Sequence, residues 1–308
     1  MADRHINLFK CCSFLRPLGY LMILFVFAIV GVSYYAVVVL VWGPVVVRGG
    51  ARGVVSVLVL IVFHVLLTLL MWSYIMVVFQ DPGSVPENWR PMPEETREEA
   101  TSTAQQLYVA LDASSSALSS SDEGERSRYC SRCQNWKPPR CHHCSVCQKC
   151  ILKMDHHCVW MVNCVGAHNY KFFLLFLIYT FLEVALDTVV LLPSIIQLFG
   201  KSNHHSFSPG SVAVTFLAFV LNLAFCLSLF GFLVMHASLL LSNTTTIEVY
   251  EKKKAVRWKY DLGWKKNFEQ VFGKNKALWF LPIISKEDFD SIPALQGICF
   301  PVGENEEP

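Results

Sequence analysis

Charge is scarce in this chain. Asp, Glu, Lys and Arg make up 16% of its 308 residues, whereas soluble globular proteins carry about 25%. With hydrophobic residues at 53% and a mean hydropathy of +0.40, that shortage excludes a water-soluble enzyme, a disordered chain and a collagen-like fibre. An excess of one sign is also missing: a net charge of +2 is too small to imply nucleic acid. The composition is that of a membrane protein with a polar part attached.

Long apolar runs are what the chain has instead. A bilayer core of about 30 Å needs about 20 apolar residues in a helix. Four stretches qualify, at 18–42, 54–79, 172–199 and 211–241. The first has no charge at all, and the second has only His64 as a titratable group. At 25 residues and without a small-residue cleavage site, the first is too long for a signal-peptide core of about 7–15 residues.

Basic residues set the orientation. Only Arg48, Arg52 and Lys201 fall in the short loops after the first and third stretches. Arg4, Lys10 and Arg16 before the first span agree with Lys252, Lys253, Lys254 and Arg257 after the last. The N-terminus (1–17), the middle segment and the C-terminal region (242–308) are therefore expected on the cytosolic side. Within the middle segment, 80–127 is a linker: glutamates at 94, 95, 98 and 99 precede a run rich in serine from Ser114 to Ser121. Such composition buries too little apolar surface to fold.

The remainder, 128–171, carries the chemistry. Eight of the twelve cysteines lie between Cys130 and Cys164, with four histidines among them. In the cytosol this favours metal or catalysis over disulfides. Cys130, Cys133, His143 and Cys150 are spaced by three, ten and seven positions, and Cys144, Cys147, His157 and Cys164 repeat that spacing fourteen residues on. Three thiolates and one imidazole make a closed structural Zn²⁺ site. Two interleaved sites would contribute much of the folding free energy of a segment with little apolar core. Cys141 or His142 could substitute in the first.

The repeat also leaves residues over. A third site opening at Cys158 would need cysteine at Met161, histidine at Lys171 and cysteine at Ile178, and has none of them. Cys158 is thus a thiol without a metal on a zinc scaffold, or an alternative ligand. His156 is likewise unligated. A thiolate nucleophile, a histidine that takes its proton and a carboxylate that orients the histidine form a known catalytic arrangement. Asp155, His156 and Cys158 supply all three types within four residues.

The run Asp155-His156-His157-Cys158, in a cysteine-rich region between a second and third span, resembles the DHHC protein S-acyltransferases. The similarity extends from Cys130 to Phe173 and includes Lys137-Pro138, Trp160, Asn163-Cys164 and Asn169. Asp81-Pro82-Gly83 resembles the family's DPG motif, Thr245-Thr246-Ile247-Glu248 its TTxE motif, and Asn267 with Val271-Phe272-Gly273 its C-terminal element.

The resemblance implies an integral membrane α-helical fold, four transmembrane helices with a cytosolic zinc-stapled domain between the second and third. It implies two structural Zn²⁺ ions in the partition given above. It implies a long-chain fatty acyl group, such as palmitoyl, taken from acyl-CoA onto Cys158 as a thioester and passed to cysteines of membrane-associated proteins. His156 would be the base and Asp155 its partner, with Thr245, Thr246, Trp160 and Asn267 in support. Lys137 and Arg140 could meet the CoA phosphates or serve as a solvated or structural basic pair. An endomembrane such as Golgi or ER, or the plasma membrane, would house the protein.

Glu183 and Asp187 lie four apart on one helical face of the third span, where carboxyl groups usually face a bundle interior. By the resemblance, Ser33 and Glu183 align with the closed end of the acyl cavity. A protonated Glu183 bonded to Ser33 would limit chain length, unless the two carboxyl groups pair near the far interface. Asn222 and His236 have the character of helix–helix contacts. Cys11 and Cys12 precede the first span, where cysteines can be acylated.

Overall fold

The computed structural model describes residues 15–91, 128–199, 208–251 and 258–303. Cys11, Cys12, the serine-rich run, Lys201 and Lys252 to Lys254 lie outside them. Four helices are long and apolar enough to cross a membrane: Gly19–Arg48, Gly50–Phe79, Tyr170–Phe199 and Pro209–Leu241. We call them α1 to α4. Each extends a few residues beyond at least one of the limits set from the apolar runs.

Helix α1 passes Trp42 because its chain changes pitch rather than stopping. Pro44 has no N–H, and its ring would collide with an α-helical carbonyl four residues back. The preceding segment Tyr35–Trp42 winds as a π-helix, in which the N–H of Gly43 reaches Val38 O. Ser56 Oγ donates to the carbonyl of Trp42 at 2.7 Å, and Trp42 Nε1 donates to Val190 O at 3.1 Å. The wide turn is thereby tied to both α2 and α3. Gly49 and Gly50 then turn the chain into α2, both at φ +71°, which a Cβ would oppose.

Helix α3 is the central one. Of its 30 residues 15 are buried, against 7 of 30 in α2 and 6 of 33 in α4. The inner layer packs Ala36, Val37 and Phe63 on Val190, Leu191 and Ala218. The other layer sets Tyr74 and Val77 against Phe172, Phe173 and Leu175, beneath Cys158 and Met161.

Between α2 and α3 stand three two-stranded hairpins: β1 (Arg128–Cys130) with β2 (Asn135–Lys137), β3 (His142–Cys144) with β4 (Lys149–Ile151), and β5 (His156–Cys158) with β6 (Asn163–Val165). The fourteen-residue period is visible in their backbone. Gln134, Gln148 and Val162 hold the same turn position, with φ of +49°, +56° and +53°. His143 pairs with Cys150 across one hairpin and His157 with Cys164 across the next.

Short polar anchors fix the hairpins to the helices. Asn163 Nδ2 donates to Val77 O at 3.0 Å and Gln80 O at 2.9 Å, closing the open carbonyl end of α2. Beyond α2, Asp81 Oδ1 accepts from Gly83 N at 2.8 Å, while Gly83 O accepts from Leu152 N at 2.8 Å. The DPG turn thus lies against the end of the second hairpin, where Ser84 also bridges Ile151. After α4 come α5 (Thr246–Glu251), α6 (Trp264–Phe272) and two short helices, α7 (Lys286–Ser291) and α8 (Pro293–Gln296). Asn267 of α6 donates to Leu241 O, the last residue of α4, at 2.6 Å. Lys171 Nζ donates to Leu278 O at 2.9 Å and Ile283 O at 2.6 Å, holding the C-terminal region to α3.

Candidate active site

The two ligand sets come together as spaced. Cys130, Cys133, His143 and Cys150 form one cluster and Cys144, Cys147, His157 and Cys164 the other, with all ligand atoms in each within 4.8 Å of one another. His143 Nδ1 lies 3.6, 3.2 and 3.9 Å from the sulfurs of Cys130, Cys133 and Cys150. His157 Nδ1 lies 3.7, 3.4 and 3.5 Å from those of Cys144, Cys147 and Cys164. A tetrahedral Zn²⁺ with its usual bond lengths needs N to S edges of about 3.5 Å. Both clusters fit such an ion.

The third hairpin keeps the knuckle shape without the pair of ligating cysteines at its turn. Cys158 occupies the position held by Cys130 and Cys144 in the first two, and Met161 that of Cys133 and Cys147. Strand alternation then separates the neighbours: His157 faces its metal cluster, and His156 and Cys158 share the opposite face. His156 Nδ1 lies 2.7 Å from Asp155 Oδ2, and the Cys158 thiol is its other polar neighbour. Asp155 is 2% exposed. Burial alone would raise its pKa, but the bond to His156 holds it below the ordinary carboxylate value. Burial likewise pulls His156 down, yet the carboxylate and the thiol together lift it to about 9.

Helix α5 supplies the support. Thr245 and Glu248 form a capping box: Glu248 Oε2 accepts from Thr245 N at 2.9 Å and Thr245 Oγ1 from Glu248 N at 3.2 Å. That start aims the N–H of Thr246 at Asp155 Oδ1, 3.0 Å away. Trp160 has its carbonyl bonded by Tyr74 Oη at 3.0 Å and its ring near Phe25 and Phe225.

Arg140 requires a correction. As a candidate for the CoA phosphates it would face water, but it is 4% exposed. Its Nε and Nη2 donate to Glu248 at 2.6 and 2.7 Å, and Nη1 donates to Asn243 Oδ1 at 3.0 Å. A buried guanidinium needs such partners, and the TTxE glutamate supplies them. Lys137 is half-buried on β2 beside His143.

A cavity of about 530 Å³ runs from Cys158, Trp160 and Met161 down between the helices to Ser33, Glu183 and Asp187. The expected bond between Ser33 and Glu183 is absent, which is a second correction. Asn222 Nδ2 donates to Ser33 Oγ at 3.0 Å instead, because both face the interior across α1 and α4. Nor do the two carboxyl groups pair: their oxygens are buried with no hydrogen-bond partner among the described residues.

His236 has a place that its sequence context did not suggest. It is 0% exposed, its ring centroid lies 6.1 Å from that of His156 and 5.0 Å from that of Phe173, and Tyr170 Oη lies 3.3 Å from its Nδ1. The signal available was its position nine residues before Thr245, at the hairpin end of the span.

Four membrane-length helices, two cysteine–histidine clusters that could each hold a metal ion and a thiol–imidazole–carboxylate set above an apolar cavity define a membrane protein equipped for covalent cysteine chemistry. Comparison with known proteins narrows the class. Residues 123–253 match the family DHHC palmitoyltransferase. The chain is 57% identical to probable protein S-acyltransferase 12 of Arabidopsis thaliana, over 98% of this chain and 100% of that one. It is 54% identical to probable protein S-acyltransferase 14 of the same plant, over 96% and 94%. With human palmitoyltransferase ZDHHC20 it shares 36% identity over 91% of this chain and 77% of the other. The chain belongs to the DHHC palmitoyltransferase family.

Proposed function

We propose that this protein transfers a long-chain fatty acyl group, palmitoyl or one close to it, from acyl-CoA to cysteine thiols of membrane-associated proteins, through a thioester on Cys158. The observation that carries the reading is the third hairpin, a zinc-knuckle shape that presents a free thiol beside His156 over an apolar cavity. In the first step Cys158 Sγ attacks the thioester carbonyl of acyl-CoA. Its proton passes to Nε2 of His156, since Nδ1 is engaged by Asp155, and then to the departing CoA sulfur. In the second step His156 takes the proton of a substrate cysteine, whose sulfur attacks the acyl-enzyme, and returns it to Cys158.

Asp155 holds the imidazole and favours its charged form, and the N–H of Thr246 holds Asp155. Zinc at the two clusters would fix the hairpins. The acyl chain lies in the cavity because each exposed methylene costs about 0.8 kcal/mol. CoA stays at the wet end, with Lys137 as the remaining basic candidate for its phosphates. The hairpins, both termini and the chemistry face the cytosol of an endomembrane or the plasma membrane, on the balance of basic residues.

The test is labelling of the purified protein with radiolabelled palmitoyl-CoA. Hydroxylamine-sensitive label should appear on the natural chain and vanish in Cys158→Ser, with zinc content unchanged. Equal label on both would move acylation to another cysteine, such as Cys11 or Cys12. Label on neither, with zinc bound, would leave a membrane-anchored zinc scaffold.

A further inference from the structure

The far end of the cavity is not apolar like its walls. Glu183 is 5% exposed and Asp187 0%, both line the cavity, and none of their four carboxyl oxygens has a hydrogen-bond partner among the described residues. Their polar neighbours are already engaged: Ser33 with Asn222, and Thr180 Oγ1 with Phe176 O at 2.7 Å. The other side chains named beside them in the lining, Val30, Phe63 and Val184, are apolar. Unpartnered carboxyl groups at such depth are costly, and the packing gives no return for two of them on one face.

A partner for these groups has to arrive through the cavity, on the chain that the cavity holds. Depth says where on the chain. The ring of Phe173 lies 5.2 Å from that of His156 and marks the mouth. Glu183 and Asp187 follow Phe173 on α3 by ten and fourteen residues, about 15 and 21 Å at the helical rise. An extended sixteen-carbon chain anchored on Cys158 covers that distance, so its last carbons reach the carboxyl groups.

We propose that Glu183 and Asp187 form a subsite for a hydroxyl group carried on the distal end of the fatty acyl chain, making ω-hydroxyacyl-CoA the donor this cavity favours. The inference rests on the acyltransferase reading above and deepens it. A hydroxyl both donates and accepts, so it satisfies a carboxyl group in either protonation state. A plain methyl end leaves all four oxygens unpartnered. A chain ending in a carboxylate would bring like charge against them.

The experiment is a competition. The full-length protein in detergent receives equimolar palmitoyl-CoA, 16-hydroxypalmitoyl-CoA and myristoyl-CoA, and intact mass resolves the acyl groups on Cys158. The hydroxylated chain should outcompete palmitoyl about fivefold, the effect of one buried hydrogen bond. In Glu183→Leu and Asp187→Leu the ratio should fall towards one, and Glu183→Gln should keep most of it. Because the ratio is read within one sample, loss of folded protein does not mimic the effect. The first comparison is made on the natural chain and needs no variant to fold, and the variants then assign the preference to the two carboxyl groups. Equal use of the two sixteen-carbon chains overturns the proposal, as does a preference that survives both leucine variants. Myristoyl exceeding both makes the carboxyl groups a length stop and overturns it too. Cys158 remaining unlabelled with every donor would instead sink the acyltransferase reading itself.

Discussion

The backbone N–H of Thr246 donates to Asp155 Oδ1 at 3.0 Å across 91 residues of chain. Its hydroxyl reaches the same residue, donating to Asp155 O at 2.5 Å and to Oδ2 at 3.3 Å. The capping box of Thr245 and Glu248 starts helix α5, and Glu248 in turn grips the buried Arg140. Thr246→Ala keeps the N–H and should cost about 1 kcal/mol of stability. Glu248→Ala leaves Arg140 buried and unpaired and should cost about 3–5 kcal/mol, with a larger loss of thioester formation than Thr246→Ala. Thermal unfolding and single-turnover acylation of the two variants check the order. The reverse order would put the Thr246 hydroxyl, not α5, in charge of Asp155.

Metal content separates the three hairpins. Cys133→Ser and Cys147→Ser should each lower zinc from two ions per chain to one, since each removes a ligand from a different cluster. Cys158→Ser should leave both ions. Elemental analysis of the purified variants makes the measurement. Loss of zinc from Cys158→Ser would turn Cys158 into a ligand. Chelation should also unfold the hairpins, because they have little apolar core besides their cysteines.

Alkaline pH should weaken the protein through His156, whose pKa stands at about 9. For a raised pKa, the proton-linked stability is complete below the unfolded value of about 6.5 and is lost as pH climbs through the folded one. The melting temperature of the natural chain should therefore exceed that of His156→Gln most at pH 6, and the gap should close between pH 7 and pH 10. A gap independent of pH would mean that the pair with Asp155 is not ionic.

Val162 is a β-branched residue at φ +53°, where Gln134 and Gln148 stand in the sister hairpins. Such a backbone costs about 1–3 kcal/mol, and asparagine tolerates it better. Val162→Asn should raise thermal stability by about 1 kcal/mol. The offsetting loss is its packing on Gly19, where an added Cβ would lie 2.4 Å from Val162 Cγ1. A fall in stability would show that this contact outweighs the strain.

Much of the fold was legible from the chain because the physics behind it is local. A run of 25 uncharged residues is long enough to span whatever it packs against. Ligands recurring every fourteen residues must lie on equivalent turns of a repeated hairpin, so both metal clusters and the leftover thiol could be found by counting. The same counting could not foresee Arg140 beneath Glu248, 108 residues away, or Asn222 on Ser33, 189 residues away. Nor could it place the His236 ring against that of His156. A buried polar side chain takes whichever partner tertiary packing brings within 3 Å, and for helices crossing a bilayer that choice depends on rotation and depth. Spacing along the chain therefore determined the spans, the metal ligands and the free cysteine. Only the packed helices decided which polar groups support Asp155, and which two carboxyl groups were left facing the end of the cavity.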